Sequence, residues 1–139
     1  MADKKYVDFL DKLINLTANE KLDWEYLDSN LELASKCGLG IRDGGIIRFT
    51  LPPVSGVAKI AFNTEDSYFL EIDTNYIILY RDLESVTLID SLHLRIVPST
   101  FKGILNLSEE YDDKVLLLRN TIVATLPNAD AVMEDILSM

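Results

Sequence analysis

The sequence has a single histidine, His93, and a single cysteine, Cys37, and this scarcity removes most familiar catalysis before any pattern is read. A lone cysteine closes no internal disulfide. A zinc site of nitrogen and sulfur ligands would need carboxylates to complete it, and none stands at ligand spacing near His93 or Cys37. A Ser-His-Asp arrangement lacks its Gly-x-Ser-x-Gly elbow, since Ser55-Gly56 has no partner glycine before it. A Cys37-His93 dyad has no more support, and Cys37 reads as a small buried apolar residue.

Positive charge is also scarce. The 139 residues hold 13 Lys and Arg against 23 Asp and Glu, a formal charge of −10, and Lys4-Lys5 is the only adjacent basic pair. Affinity for phosphate backbones comes from clustered cations that release counterions, so direct nucleic-acid binding and attachment to anionic membranes are not expected. Long hydrophobic runs are missing too. Stretches such as 76–80 and 115–118 fall far short of the ~20 residues that a membrane helix needs. The first residues lead into an amphipathic pattern with no apolar secretory core, so the chain reads as cytoplasmic. Hydrophobic residues at 48% and charged residues at 26% match one ordinary folded domain, expected to span 1–139.

Tyr6, Phe9, Leu10, Leu13, Ile14 and Thr17 recur at three- and four-residue steps, which predicts a helix capped by Asp3 and ending near Ala18. Residues 21–27 alternate, with Leu22, Trp24 and Tyr26 on one side, which predicts a half-buried strand with Trp24 packed under that helix. From Asp28 to Gly38 a short helix capped by Ser29 or Asn30 competes with irregular or strand structure, and the reading favours the latter. Strands at 39–41 and 46–51 flank Arg42-Asp43-Gly44-Gly45, in which Asp43-Gly44 is a hairpin dipeptide. Runs at 57–62, 68–72 and 76–81 read as a β-meander, and 92–97 as a strand ending at Pro98. Residues 82–89 fit either strand or helix. Ser108 caps a predicted helix through Tyr111, Val115, Leu118, Ile122 and Leu126, stopped by Pro127; a last short helix starts at Asn128 or Asp130. The fold class expected is α+β: an antiparallel meander packed on one face by N- and C-terminal helices, its other face left for solvent or a partner.

Few motifs carry chemistry. Gly38-Leu39-Gly40 precedes a strand rather than a helix and Asp43 occupies the position of the third glycine, so these are turn glycines and not a phosphate loop. His93, flanked by Leu92 and Leu94, reads as a surface or interface histidine. Asp23, Glu25 and Asp28, or Glu71 and Asp73, share strand faces that normally meet water. The densest acidic run, Glu109, Glu110, Asp112 and Asp113, opposes the positive end of a helix dipole and offers a surface to a basic partner. It lacks the alternation and central glycine of a calcium loop. No metal or cofactor is expected.

A helix through Leu10 and Leu16, then Lys21-Leu22-Asp23-Trp24, a meander, Leu117-Leu118-Arg119-Asn120 and a closing Asp130-Ala131-Val132-Met133-Glu134-Asp135-Ile136-Leu137 resemble a family of small bacterial proteins of unknown function. The resemblance implies the fold and a bacterial source, and no activity. The functional expectation is a non-catalytic binding or regulatory protein of the immunity, antitoxin or inhibitor kind, setting Glu109, Glu110, Asp112 and Asp113 against a basic protein partner. Two alternatives stay open. One is a small-molecule-binding or hydrolytic domain whose carboxylates gather from distant strands; the other is a structural protein that self-associates as a homodimer through the uncovered sheet face.

Overall fold

The structure, a computed structural model, describes residues 3–83, 92–107, 109–127 and 129–139. The run at 84–89, the Ser108 cap and Asn128 lie outside the described residues.

Helix α1 (Lys4–Ala18) begins where the sequence places it: Asp3 is the N-cap and its side chain accepts from the Lys5 amide. Strands β1 (Glu25–Tyr26), β5 (Tyr68–Ile72), β6 (Asn75–Arg81), β7 (Leu92–Val97) and β8 (Leu105–Asn106) make an antiparallel sheet in the order β1-β5-β6-β7-β8. A two-residue turn, Asp73-Thr74, sets the register Ile72↔Asn75, and the pairing then alternates Leu70, Ile77, Leu79, Leu92 and Leu94 onto one face. That face is covered by α1, through Leu10 and Leu13, and by α3 (Asp112–Thr125), through Val115, Leu118 and Ile122. The two helices are also tied to each other. Tyr111, in the 3-10 turn Glu109–Tyr111, accepts a hydrogen bond from the Asp3 amide at 2.8 Å, and Lys114 pairs with Asp11 at 2.6 Å.

Trp24 is buried in this core, as expected, but the alternation around it fails. Only Glu25 and Tyr26 are strand, Tyr26 is exposed, and a 3-10 turn (Leu27–Ser29) follows at once. The indole donates to Thr17 Oγ1 at 3.0 Å, and that hydroxyl donates to the Leu13 carbonyl at 2.7 Å. A small polar residue on the buried face of α1 is thereby explained. Thr17→Val keeps the shape and removes the acceptor, stranding a buried N–H; it is expected to cost about 1 to 3 kcal/mol in urea unfolding, with Thr17→Ser close to wild type.

The second face of the sheet is not open, contrary to the sequence expectation. Leu27, Leu33, Ala34, Cys37, Leu39 and Phe62 pack on Phe69, Ile78, Tyr80 and Val97 there. The covering layer consists of α2 (Leu31–Lys36) and a small sheet of β2 (Leu39–Asp43), β3 (Ile46–Arg48) and β4 (Ile60–Ala61), ordered β3-β2-β4. Here the less favoured reading of 28–38 is the real one: Asn30 caps α2 by accepting from the Leu33 amide, and Gly38, at φ 80°, ends it. The hairpin between β2 and β3 also shifts by one residue. The register Asp43↔Ile46 puts Gly44-Gly45 in the loop, with the positive φ at Gly44 that a first central turn position needs. Residues 57–62 do not open the meander. Only Ile60–Ala61 is strand, and it runs parallel to β2, because the Pro52-Pro53 segment carries the chain back to the start of β2 instead of reversing it.

Candidate functional site

The two side chains with catalytic potential lie on either side of one interface: His93 on β7 of the main sheet, beside Tyr80, and Cys37 in the layer that covers this face. His93 pairs across the sheet with Tyr80, and the rings stack at 5.0 Å with 25° between planes. Burial lowers the imidazole pKa; Asp82 pulls it up, Arg95 pushes it down, and the net direction is down, so the ring is neutral at pH 7. Cys37 is fully buried at the end of α2, and burial outweighs the charges of Arg95 and Lys36 to push its thiol up to about 11. A thiol held protonated is a poor nucleophile. Its role is packing, and its carbonyl accepts from Arg95 Nη1.

The carboxylates considered for hydrolysis do not meet. Asp23 lines a shallow cleft of about 260 Å³ with Glu20 and Trp24, Glu25 is exposed, and Glu71 and Asp73 are exposed at the β5–β6 turn. Among the described residues, no three His, Cys, Asp or Glu side chains stand close enough to hold a metal ion. The carboxylate that the fold does employ is one that sequence reasoning passed over. Asp66 is 8% exposed and accepts from Arg81 Nε at 2.5 Å, Arg119 Nε at 2.9 Å and the Tyr68 hydroxyl at 2.9 Å, joining β5, β6 and α3.

The acidic run is divided. Glu109 and Glu110 lie in the 3-10 turn before α3, and Asp112 and Asp113 form the first turn of α3. Glu109, Glu110 and Asp113 are exposed and Asp112 is half-buried, and the charges of both Asp112 and Glu109 reach the imidazole of His93. Three of the four carboxylates therefore lie on the surface, and the fourth is partly covered.

An exposed apolar stripe lies elsewhere. Helix α4 (Ala129–Leu137) carries Val132, Met133, Ile136 and Leu137 on one stripe, and they are 55%, 55%, 65% and 84% exposed. Asp130, Glu134 and Asp135 occupy the opposite arc of the same helix. The sequence pattern announces this stripe, yet it cannot say whether the stripe is covered. Among the described residues nothing covers it, and four side chains line an apolar concavity of about 270 Å³. The acidic run and this stripe are at opposite ends of α3, whose 14 residues span about 20 Å.

A further cleft, of about 590 Å³, opens between the 54–58 and 101–104 loops over Arg95 and Asn106. No helix of the described residues is long and apolar enough to cross a membrane. Comparison with protein-family models, with curated proteins and with solved structures finds no match for this chain.

Proposed function

We propose that this is a non-catalytic protein-binding protein of the inhibitor, immunity or antitoxin kind, which docks a basic protein partner on the apolar stripe of α4. The observation that carries the reading is the helix itself. Nine residues are too few to hold a helix in water without packing, and the side chains that should pack are the ones left bare. A groove that covers Val132, Met133, Ile136 and Leu137 would supply the missing contact, in the manner of an amphipathic helix laid into a receptor.

Charge selects the occupant. Residues 120–139 contain three carboxylates and no lysine or arginine, so two copies of α4 would bring like charges together at the rim, while a basic groove would meet opposite ones. The exposed carboxylates Glu109, Glu110 and Asp113, in a chain of charge −10, would add to the field that steers such a partner in.

Light scattering on the pure protein is expected to give a monomer. A photo-crosslinking residue at position 132, activated in cells, should trap a basic protein. Ile136→Glu, which places a charge on the stripe, should weaken that complex about a hundredfold, the size of a hot-spot loss, and raised salt should weaken it as well. Reversing Glu109, Glu110 and Asp113 to lysine should slow association about tenfold with dissociation unchanged. A dimer abolished by Ile136→Glu, or a cross-link indifferent to that substitution, would overturn the reading.

A further inference from the structure

Arg95 is a buried cation that no carboxylate among the described residues pairs with. It is 4% exposed, its Nε donates to Asn106 Oδ1 at 2.7 Å, its Nη1 donates to the Cys37 carbonyl, and its guanidinium carbon lies 4.9 Å from the centre of the Tyr80 ring. Those contacts orient the group and satisfy part of its donor set, but they leave its charge uncompensated, and an arginine has five N–H donors to place and no means of shedding its proton. Buried charges are ordinarily paired. Asp66 performs that service for Arg81 and Arg119, and among the described residues no carboxylate performs it for Arg95.

What lies next to Arg95 is the cleft of about 590 Å³, a volume in the range of small-molecule sites. Its lining includes Lys102, the apolar side chains of Phe101, Val57 and Ile104, and no Asp or Glu. In a chain with 23 carboxylates this is a selective exclusion. Two other clefts of the same fold do hold them, Glu20 and Asp23 in one and Glu65 in another. Lys36 does not line the cleft but stands over the ring of Phe101, which does, its Nζ 5.0 Å from the ring centre. Cations gathered in a concave, partly desolvated space focus a positive potential there, against the sign of the rest of the surface.

We propose that this cleft binds a small organic anion, whose carboxylate or phosphate head pairs with Arg95 and Lys102 and whose apolar body packs on Phe101 and Val57. No residue of α4 lines the cleft, so this site and the docking helix stand or fall separately.

The test is an amide chemical-shift titration of the whole chain at low salt with phenyl phosphate, with benzoate and with neutral benzamide, each to about 10 mM, since fragments of this size bind near the millimolar range. One or both anions should shift the amides of Gly56, Ala58 and Gly103 in a saturable way, and benzamide should not. Saturation by phenyl phosphate alone assigns a phosphate-bearing ligand, and by benzoate alone a carboxylate-bearing one. Arg95→Met should abolish the shifts; because it also takes the donor from the Cys37 carbonyl and from Asn106 Oδ1, retention of the fold is checked in the same spectra by the amides of β5 to β7. Lys102→Glu, at an exposed position, should weaken the anions at least tenfold whatever Arg95→Met does to folding. No saturable shift in the wild type, equal affinity for benzamide, or anion binding unaltered by Lys102→Glu would overturn the proposal.

Discussion

Asp66→Asn is expected to lower the stability of the fold by about 3 to 5 kcal/mol, read as a shift of the urea midpoint at unchanged slope. The magnitude follows from what the carboxylate does. It is largely buried and serves two guanidinium groups and a phenol at once, and the two arginines come from elements far apart in the chain, β6 and α3. An asparagine fits the space, but it turns an amide N–H₂ toward at least one donor and removes the charge that both arginines share. Breaking a buried pair from one side is costly because the remaining charge stays buried. The loss should be cooperative, since the contact fastens the α3 layer to the meander. Arg119→Met, which removes one donor and leaves the Arg81 pair in place, should cost less than half as much.

The same group sets an acid limit. Burial alone would raise the Asp66 pKa; the hydrogen bonds from Arg119, Arg81 and Tyr68 and the charge of Arg119 more than offset it, and the net direction is down. A carboxylate whose folded pKa lies below its unfolded value of about 3.9 stabilises the fold fully above that value and loses the contribution as pH falls through the folded pKa. The difference in melting temperature between wild type and Asp66→Asn should therefore be constant from about pH 5 to 8 and shrink below about pH 4. A difference that persists to pH 2 would show that Asp66 acts through shape and not through charge.

The parts of this fold that were legible in the sequence are those with a long, regular period. Helix α1 declares itself by its stripe from Tyr6 to Thr17 and its Asp3 cap, β5 and β7 by their apolar runs, and α3 by Tyr111 to Ile122 with Pro127 beyond. The second layer was hidden because its elements are short. Six residues of α2 give fewer than two turns of pattern, and two residues of β4 give none. With that layer unseen, the face of the sheet bearing His93 and Arg95 looked solvent-facing, and a charged residue between Leu94 and Ile96 looked ordinary. The alternation that sets His93 opposite Leu92 and Leu94 puts Arg95 on the same face, but nothing in it says that a second core stands there. Asp66 was illegible for a different reason. Its partner Arg119 is 53 residues away, and nothing local distinguishes a carboxylate that will find two arginines from one that will meet water.

Two physical constraints, a positive φ and a close approach, act singly or together at the glycines read as turn residues, of which Gly40 in fact lies within β2, and substitution by alanine should show it with the second-largest effect expected here. At Gly44 the chain needs a positive φ of 63° and an added Cβ meets nothing, so Gly44→Ala should cost about 1 kcal/mol, the left-handed penalty alone. At Gly40 φ is ordinary, but a Cβ would stand 2.4 Å from Ile47 Cγ2 and 2.8 Å from the Arg48 carbonyl oxygen, so the whole cost is steric, about 1 to 3 kcal/mol. At Gly38 both apply: φ is 80°, and a Cβ would fall 2.2 Å from the Ala58 carbonyl oxygen, a backbone atom that no side-chain rotation can move. Gly38→Ala should cost about 3 kcal/mol or more, the sum of the two penalties. Its effect should also be directed. The Ile60 amide donates to the Gly38 carbonyl at 2.8 Å, so pushing Ala58 away breaks the parallel β2–β4 pair and moves the 54–58 wall of the cleft. Hydrogen exchange should therefore quicken at the Ile60 and Phe62 amides in Gly38→Ala while β5 to β7 stay protected. Equal costs at Gly38 and Gly44 would mean that the Ala58 approach can relax, and that the cleft wall is set by the Pro52-Pro53 segment instead.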